Sequence, residues 1–179
     1  MPLRRLCCLL SVALLCSSCV NDMEKIRFFD RQTLPNQSVR GAHVVRSVSG
    51  DLQLLLDAPQ IDVFQHPEAK TVYPKGFSMR FFAHDGTTTA TVSARYGISY
   101  DSKQIMEARD SVVIIDHRTG DTVYLCSLVW NSLEERIYSN DSICSVNGRH
   151  VTYGDGFESD ENFTNPQILH QRGTIEWNE

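Results

Sequence analysis

The sequence predicts an all-β domain built from stacked antiparallel hairpins. Residues 75 to 165 contain no proline, and proline-free stretches are what interior sheet strands require. Apolar and polar residues alternate through most of this part of the chain, as expected for half-buried strands. Clusters of turn-forming residues separate the alternating runs, and Asn147-Gly148 is the strongest hairpin signal among them. No stretch has the period of a long helix, so we expect the sheet to be concentrated in this half.

The first predicted element is a hairpin that precedes the proline-free half. It consists of "HVVRSV" at 43–48, a turn "SGD" at 49–51 and "LQLLLD" at 52–57. Prolines follow at 59, 67 and 74, and they argue against interior strands in that region.

Six strand-like runs follow the hairpin. The run at 88–100 has the clearest pattern, because every second residue from Val92 to Tyr100 is apolar. It therefore predicts a strand with one apolar face. The six runs are "GFSMRFFA" at 76–83, "TTATVSARYGISY" at 88–100, "QIMEARDSVVIID" at 104–116, "DTVYLCSLVW" at 121–130, "RIYSNDSICSV" at 136–146 and "RHVTYGDGFES" at 149–159.

Two of these runs form a loose internal repeat. "YDSKQIMEARDSVVI" begins at Tyr100, and "WNSLEERIYSNDSICSV" begins at Trp130. Each has an aromatic residue, a polar turn and then Asp-Ser before β-branched residues. The two copies begin about 30 residues apart. Repeats with periods of roughly 20 to 50 residues indicate stacked units that bury a continuous core only together.

The N-terminus has the order of a secretion signal. Arg4 and Arg5 precede an apolar stretch at 6–15, and small residues follow at 16–18. This order is typical of a cleaved signal peptide. The apolar stretch is too short for a membrane-spanning helix, which needs about 20 residues.

Cys19 resembles the lipidated cysteine of bacterial lipoproteins. Small residues lie directly before it, as in the signal that leaves the cysteine as residue one with lipid on its sulfur and amine. Cys16 departs from the pattern, because that position most often holds Leu. The alternative is an ordinary secretory signal cut near Ser17 or Ser18. Several acyl chains would hold the protein stably on a membrane.

We therefore expect three segments: a signal peptide at 1–18, lipidated Cys19 with a flexible tether at 19–40, and one β-domain at 41–179. The tether is expected because residues 20–40 are polar and lack a sustained period. Without residues 1–18 the chain keeps 15 basic residues against 22 acidic ones, a net charge of −7. This charge argues against nucleic acid as a partner.

Motifs of catalysis and cofactor binding are absent from the sequence. It has no nucleophile elbow, phosphate-binding glycine loop or dinucleotide fingerprint. Its six histidines lack the spacing of zinc ligands. We expect no enzyme, no cofactor and no metal site. The acidic stretch at 155–161 allows a calcium interpretation, but it lacks the loop spacing of a calcium site, and a solvated turn explains it better.

Cys126 and Cys144 are the two cysteines of the predicted domain. They lie on consecutive predicted strands, and a nearby pair tends to oxidise outside the cytosol. A disulfide and two free thiols both remain open, because the strand register decides whether their Cα atoms come within about 7 Å.

The order of several segments resembles a known family. "VYPKGFSMRFF", "ATVSARYGISYDSKQIMEARDSVVI", "GDTVYLCSLVWNSLEERIYSNDSI", "YGDGFESDENFTNPQI" and "GTIEW" follow one another between Gly41 and Trp177. In this order they look like the LptC family of lipopolysaccharide-export periplasmic proteins, in the lipoprotein form found in Bacteroidetes. Gly154 and Gly156 are interpreted as a bulge or tight turn. The anchor departs from better-known members, which carry a transmembrane helix.

The resemblance implies a fold and a role. The fold would be an open, twisted antiparallel β-jellyroll whose concave face shelters acyl chains. The protein would receive lipopolysaccharide from an inner-membrane ABC transporter. It would pass the lipid to a bridge of related jellyroll proteins, joined by edge-strand addition, toward the outer membrane. The domain would be periplasmic, lipid-anchored to the inner membrane and without chemistry of its own.

Twelve apolar residues are candidates for the lining of this groove. Plain core packing is the alternative for each, because any sheet buries residues with a period of two. For the whole protein, the alternatives are a lipoprotein with a structural or adhesin-like β-domain and a carrier of another lipid. The candidate residues are Phe77, Met79, Phe81, Val92, Ala94, Tyr96, Ile98, Val123, Leu125, Leu128, Trp130 and Ile137.

Overall fold

A computed structural model describes residues 34–176, and within this range it consists of strands, turns and loops. No helix in this range is long and apolar enough to cross a membrane. The strands are β1 (Gln37–Val48), β2 (Asp51–Phe64), β3 (Lys70–Tyr73), β4 (Phe77–Phe82), β5 (Thr88–Ala94), β6 (Tyr96–Tyr100), β7 (Ile105–Asp116), β8 (Thr122–Asn131), β9 (Arg136–Asn147), β10 (His150–Asp160), β11 (Gln167–Ile168) and β12 (Gly173–Glu176).

The 12 strands form one antiparallel sheet in the order β11-β10-β9-β8-β7-β5-β4-β2-β3-β6. β7 also pairs with β6, β1 pairs with β2, and β12 pairs with β10. Most neighbours along this path are connected by hairpins. The all-β class predicted from the sequence is confirmed, and the arrangement is consistent with an open β-jellyroll.

The N-terminal hairpin is longer than predicted. β1 begins at Gln37, and its first four residues pair with residues 60–63 of β2. The β-domain therefore begins before residue 41, and the predicted tether at 19–40 extends too far along the chain. Pro59 lies inside β2, although prolines were expected to exclude strands there. It is tolerated because β4 pairs with β2 only up to Asp57 and β3 only from Asp62. Between Asp57 and Asp62, β1 is the only neighbour of β2 among the described residues. The N–H that Pro59 lacks therefore removes no hydrogen bond to a second neighbouring strand.

A line of irregularities crosses the middle of the sheet. Arg95 separates β5 from β6, and β7 shifts register at Asp110 and Ser111, whose φ angles are 62° and 58°. β8 shifts between residues 124 and 129, and β10 shifts around Gly156, whose φ is 99°. The predicted bulge at Gly156 is confirmed. Bulges bend strands and increase their twist, so we call this line the crease of the sheet.

The Asp-Ser pairs of the internal repeat lie on the crease. Asp110-Ser111 forms the bulge of β7, and Asp141 supports the bulge of β8. The Asp141 carboxylate accepts hydrogen bonds from the Ser127 amide at 2.6 Å and from the Ser127 hydroxyl at 2.7 Å. The repeat therefore places a bend at a similar position in successive hairpins.

The core lies between the two halves of the bent sheet. Phe81 on β4 packs edge-on against Trp130 on β8, with ring centroids 6.1 Å apart, although β5 and β7 separate these strands. Phe163, in the loop after β10, packs 4.9 Å from Phe81 and is 1% exposed. Aromatic side chains thus join strands that do not pair.

An ion pair between the buried Asp116 and the exposed Arg118 fixes the loop that carries Phe163. Asp116 accepts hydrogen bonds from Arg118 at 2.8 and 3.1 Å. The Arg118 guanidinium also donates to the carbonyls of Phe163 and Thr164. Burial on its own raises the pKa of Asp116, but the hydrogen bonds and charge of Arg118 outweigh it and lower that pKa. The loop is therefore held by charge-assisted bonds as well as by packing.

Candidate functional site

An apolar cavity of about 420 Å³ lies between the β1–β2 hairpin and the ends of β6, β7 and β8. Polar residues line the side formed by two turns, where Ser132 donates hydrogen bonds to the carbonyl oxygen of Gln104 at 3.0 Å. Volumes of 300 to 1,000 Å³ are typical of small-molecule sites. The apolar wall is formed by Val44, Leu54, Leu56, Tyr73, Met79, Ile105, Met106 and Trp130, and the polar wall by Arg46, Ser99, Asp101, Gln104 and Ser132.

Three residues separate this cavity from the packed core, and we call them the partition: Met79, Met106 and Trp130. They also line a second space of only about 10 Å³. The other residues around that space are core residues, namely Phe77, Phe81, Val92, Ala108, Leu128, Ile137 and Phe163. The cavity therefore ends where the core begins.

The predicted groove residues divide between the cavity and the core. Met79 and Trp130 line the cavity. Five of the other predicted residues are buried core residues that line the narrow space, and Ala94, Val123 and Leu125 belong to the same core. For these eight, the structure favours plain packing over direct contact with a ligand. The eight are Phe77, Phe81, Val92, Ala94, Val123, Leu125, Leu128 and Ile137.

Tyr96 and Ile98 are wrongly assigned to the inner face. The break at Arg95 reverses the alternation, so that Gly97 points inward. A Cβ atom on Gly97 would lie 2.5 Å from Phe77 Cε1 and 3.1 Å from Tyr73 Cδ2. Ile98 is buried at 6% exposure, but it pairs with Val72 and lies outside the main core cluster. A glycine in a strand often marks such a close approach, and this was the available signal.

Sequence reasoning missed most of the cavity wall. Leu54 and Leu56 come from the predicted first hairpin, where their period-two spacing was the available signal. Met106 pairs directly with Trp130, but only the strand register brings the two together. Tyr73 comes from the short β3, in a region where prolines argued against strands.

The electrostatics of the cavity differ between its two walls. The Arg46 guanidinium lies over the Trp130 ring, 5.9 Å from the centroid. Burial raises the pKa of the Tyr73 phenol, and the Asp101 carboxylate adds to this effect. The phenol is therefore neutral at ordinary pH. Charge is restricted to Arg46 and Asp101 among the lining residues, so the apolar wall suits a hydrocarbon.

The two margins of the sheet differ in length and charge. β1 has 12 residues, of which only Ala42 is buried. Its exposed apolar side chains include Val39, Val44, Val45 and Val48, and Val45 is 61% exposed. β1 itself carries two arginines and a histidine but no acidic residue. β12 at the opposite margin has four exposed residues. Unpaired strand edges are templates for strand addition.

Cys126 lies on β8 and Cys144 on β9, and the structure shows no bond between them. Cys144 pairs with Tyr124, and the register of β8 shifts directly after Tyr124, so the regular ladder does not fix the distance between Cys126 and Cys144. A disulfide requires Cα atoms within about 7 Å of each other. The disulfide stays a prediction.

The acidic stretch after β9 is engaged by protein groups. Asp155 pairs with Arg172 at 3.1 Å, and Glu158 pairs with Arg136 at 2.8 Å. Asp160 accepts hydrogen bonds from the amides of Asn162 and Thr164. Nowhere in residues 34–176 do three His, Cys, Asp or Glu side chains form a group suited to a metal ion.

The predicted signal peptide and Cys19 lie outside the described residues. Comparison of the chain with protein-family models and with curated proteins finds no match. The geometry of the domain and the motif order of the sequence therefore carry the functional argument.

Proposed function

We propose that the protein is a non-enzymatic component of lipopolysaccharide export. In this role it binds acyl chains of lipopolysaccharide supplied by an inner-membrane ABC transporter and passes the lipid toward the outer membrane. The proposal places the domain in the periplasm, anchored to the inner membrane through lipidated Cys19. The ordered segments that resemble the LptC family support this assignment.

The cavity is the observation that carries the proposal. It joins an uncharged apolar wall to a polar wall with Arg46 and Asp101, which suits a ligand with a hydrocarbon part and a polar head. Each methylene moved from water to an apolar site contributes about 0.8 kcal/mol. A few buried methylenes therefore suffice for a relay site that also has to release its lipid.

The free margins of the sheet support the proposed partners. Among residues 34–176, β1 pairs only with β2 along its 12 residues, and an edge of that length suits addition of a strand from a neighbouring jellyroll protein. Its exposed apolar side chains would gain cross-strand neighbours in such a pairing. Val44 and Arg46 belong to both β1 and the cavity wall, so lipid transfer and strand addition would take place side by side.

Photo-crosslinking tests the site directly. A crosslinker at Met106, in the partition, should capture lipopolysaccharide in cells during export. A crosslinker at Tyr96, on the opposite face of the sheet, is the matched control and should capture far less. Equal capture at both positions, or none at Met106, would contradict binding in the cavity.

Depletion of the protein tests the pathway. Newly made lipopolysaccharide should accumulate at the inner membrane, because its carrier is missing. Unchanged delivery to the cell surface would refute the export role. Binding of acyl chains together with unchanged export would instead favour a carrier of another lipid.

A further inference from the structure

The partition is built from both halves of the bent sheet. Met106 and Trp130 are direct partners on β7 and β8, whereas Met79 lies on β4. All three border the cavity on one side and the narrow space of about 10 Å³ on the other. A chain that fills the cavity must therefore meet these side chains before it reaches the core.

Trp130 is held in the partition by packing. Its ring lies between Phe81 on the core side and Arg46 on the side of β1, with centroid distances of 6.1 and 5.9 Å. Its indole Nε1–H is buried, and residues 34–176 provide no acceptor for it. Buried tryptophan N–H groups usually find a partner. The shape of the surroundings therefore fixes the ring, with no hydrogen bond to specify its position.

We propose that Trp130 is the end stop that limits the length of the acyl chain accepted by the cavity. This inference rests on the proposed function of the site. A cavity of about 420 Å³ has room for a limited number of methylenes. Methylenes beyond that number meet the partition and stay outside the apolar site. Chain length should therefore strengthen binding only up to a limit.

The limit can be measured with saturated fatty acids of increasing length, each displacing a fluorescent acyl probe from the purified domain. Affinity should rise about fourfold per methylene, the equivalent of the methylene transfer energy, and then level off. In Trp130→Ala the levelling-off should come at least two methylenes later. Trp130→Phe, which keeps a ring and protects folding, should shift it less. Tyr124→Ala, on the same strand but on the outer face, is the control and should leave it unchanged.

Fluorescence quenching gives a second measurement that needs no large truncation. The chain has two tryptophans, so Trp177→Phe leaves Trp130 as the only tryptophan, whose emission can be excited separately from that of the tyrosines. Fatty acids brominated near the methyl end should quench Trp130 more strongly than those brominated near the carboxyl end, because the methyl end lies against the end stop.

The outcomes separate this inference from the proposed function. Saturable binding with the same length limit in wild type, Trp130→Ala and Trp130→Phe would overturn the end stop alone, as would stronger quenching from the carboxyl end. No saturable binding of any chain would overturn acyl binding and the end stop together.

Discussion

Gly97→Ala tests which face of β6 points into the domain. The structure places the new methyl group 2.5 Å from Phe77 Cε1 and 2.9 Å from Phe77 Cδ1. Phe77 is 5% exposed and packs against Tyr73 with ring centroids 5.4 Å apart, so it has little room to move. Overpacking of this kind typically costs about 1 to 3 kcal/mol.

If Gly97 lay on the solvent face of β6, Gly97→Ala would change the free energy of unfolding in the opposite direction. If Gly97 pointed to solvent, as strict alternation of the sequence predicts, Ala would restrict the unfolded chain and raise the free energy of unfolding by about 0.4 to 1 kcal/mol. Urea unfolding separates the two cases. With a slope of about 1 to 3 kcal/mol per molar, the midpoint should fall by several tenths of a molar or more.

Ser99→Thr is the matched control for this experiment. It adds one methyl group on the same strand and the same face, but Ser99 borders the open cavity. Its unfolding midpoint should stay close to that of the wild type. A Gly97→Ala midpoint equal to or above that of the wild type would refute the reversal of the alternation at Arg95.

Three further predictions address the core, the loop and the anchor. Phe163→Ala should lower the free energy of unfolding by about 3 to 5 kcal/mol, since a buried aromatic side chain is lost; denaturant titration measures it, and a loss below 1 kcal/mol would contradict the packing. The lowered pKa of Asp116 means that its stabilising contribution is present above the ordinary carboxyl pKa and is lost as the pH falls through the folded value. As the pH falls, the melting temperature of the wild type should therefore drop more steeply than that of Asp116→Asn. Equal slopes of melting temperature against pH would disprove this role of Asp116. Cys19→Ala should release a folded domain from the membrane, and fractionation that still finds it in the membrane would mean that the anchor lies elsewhere.

The strands were predictable because their signals are local. Alternation and turn residues placed β4 to β10 close to their observed positions, and the Asn147-Gly148 hairpin lies where it was predicted. The reversal at Arg95 was not predictable from the period. It depends on a break in the backbone that leaves the apolar spacing of residues 92–100 unchanged. Pro59 misled the prediction because the tolerance of a proline depends on which neighbours a strand has at that residue.

The cavity was harder to predict than the strands. Period-two spacing identifies residues that leave water, but it does not distinguish a packed core from a lined cavity. Met79 and Trp130 were predicted, whereas Arg46 and Tyr73 were not, because only the register of distant strands brings these residues together. The bend at the crease brings particular parts of the two halves of the sheet close together. In the sequence the crease is marked by the Asp-Ser pairs of the repeat and not by the apolar residues.

The location of the cavity follows from the way the sheet closes. Behind the partition the two halves are joined by aromatic contacts such as Phe81 with Phe163, and the space directly behind the partition measures only about 10 Å³. In front of it, β1 covers the opening with a strand that has one partner and leaves Val44 44% exposed. An open apolar cavity leaves apolar surface that tighter packing would bury, and burial of apolar surface generally stabilises a fold. An open cavity therefore costs stability, as functional sites commonly do. Because its lining is mostly apolar, the ligand should be sought among molecules with long apolar chains.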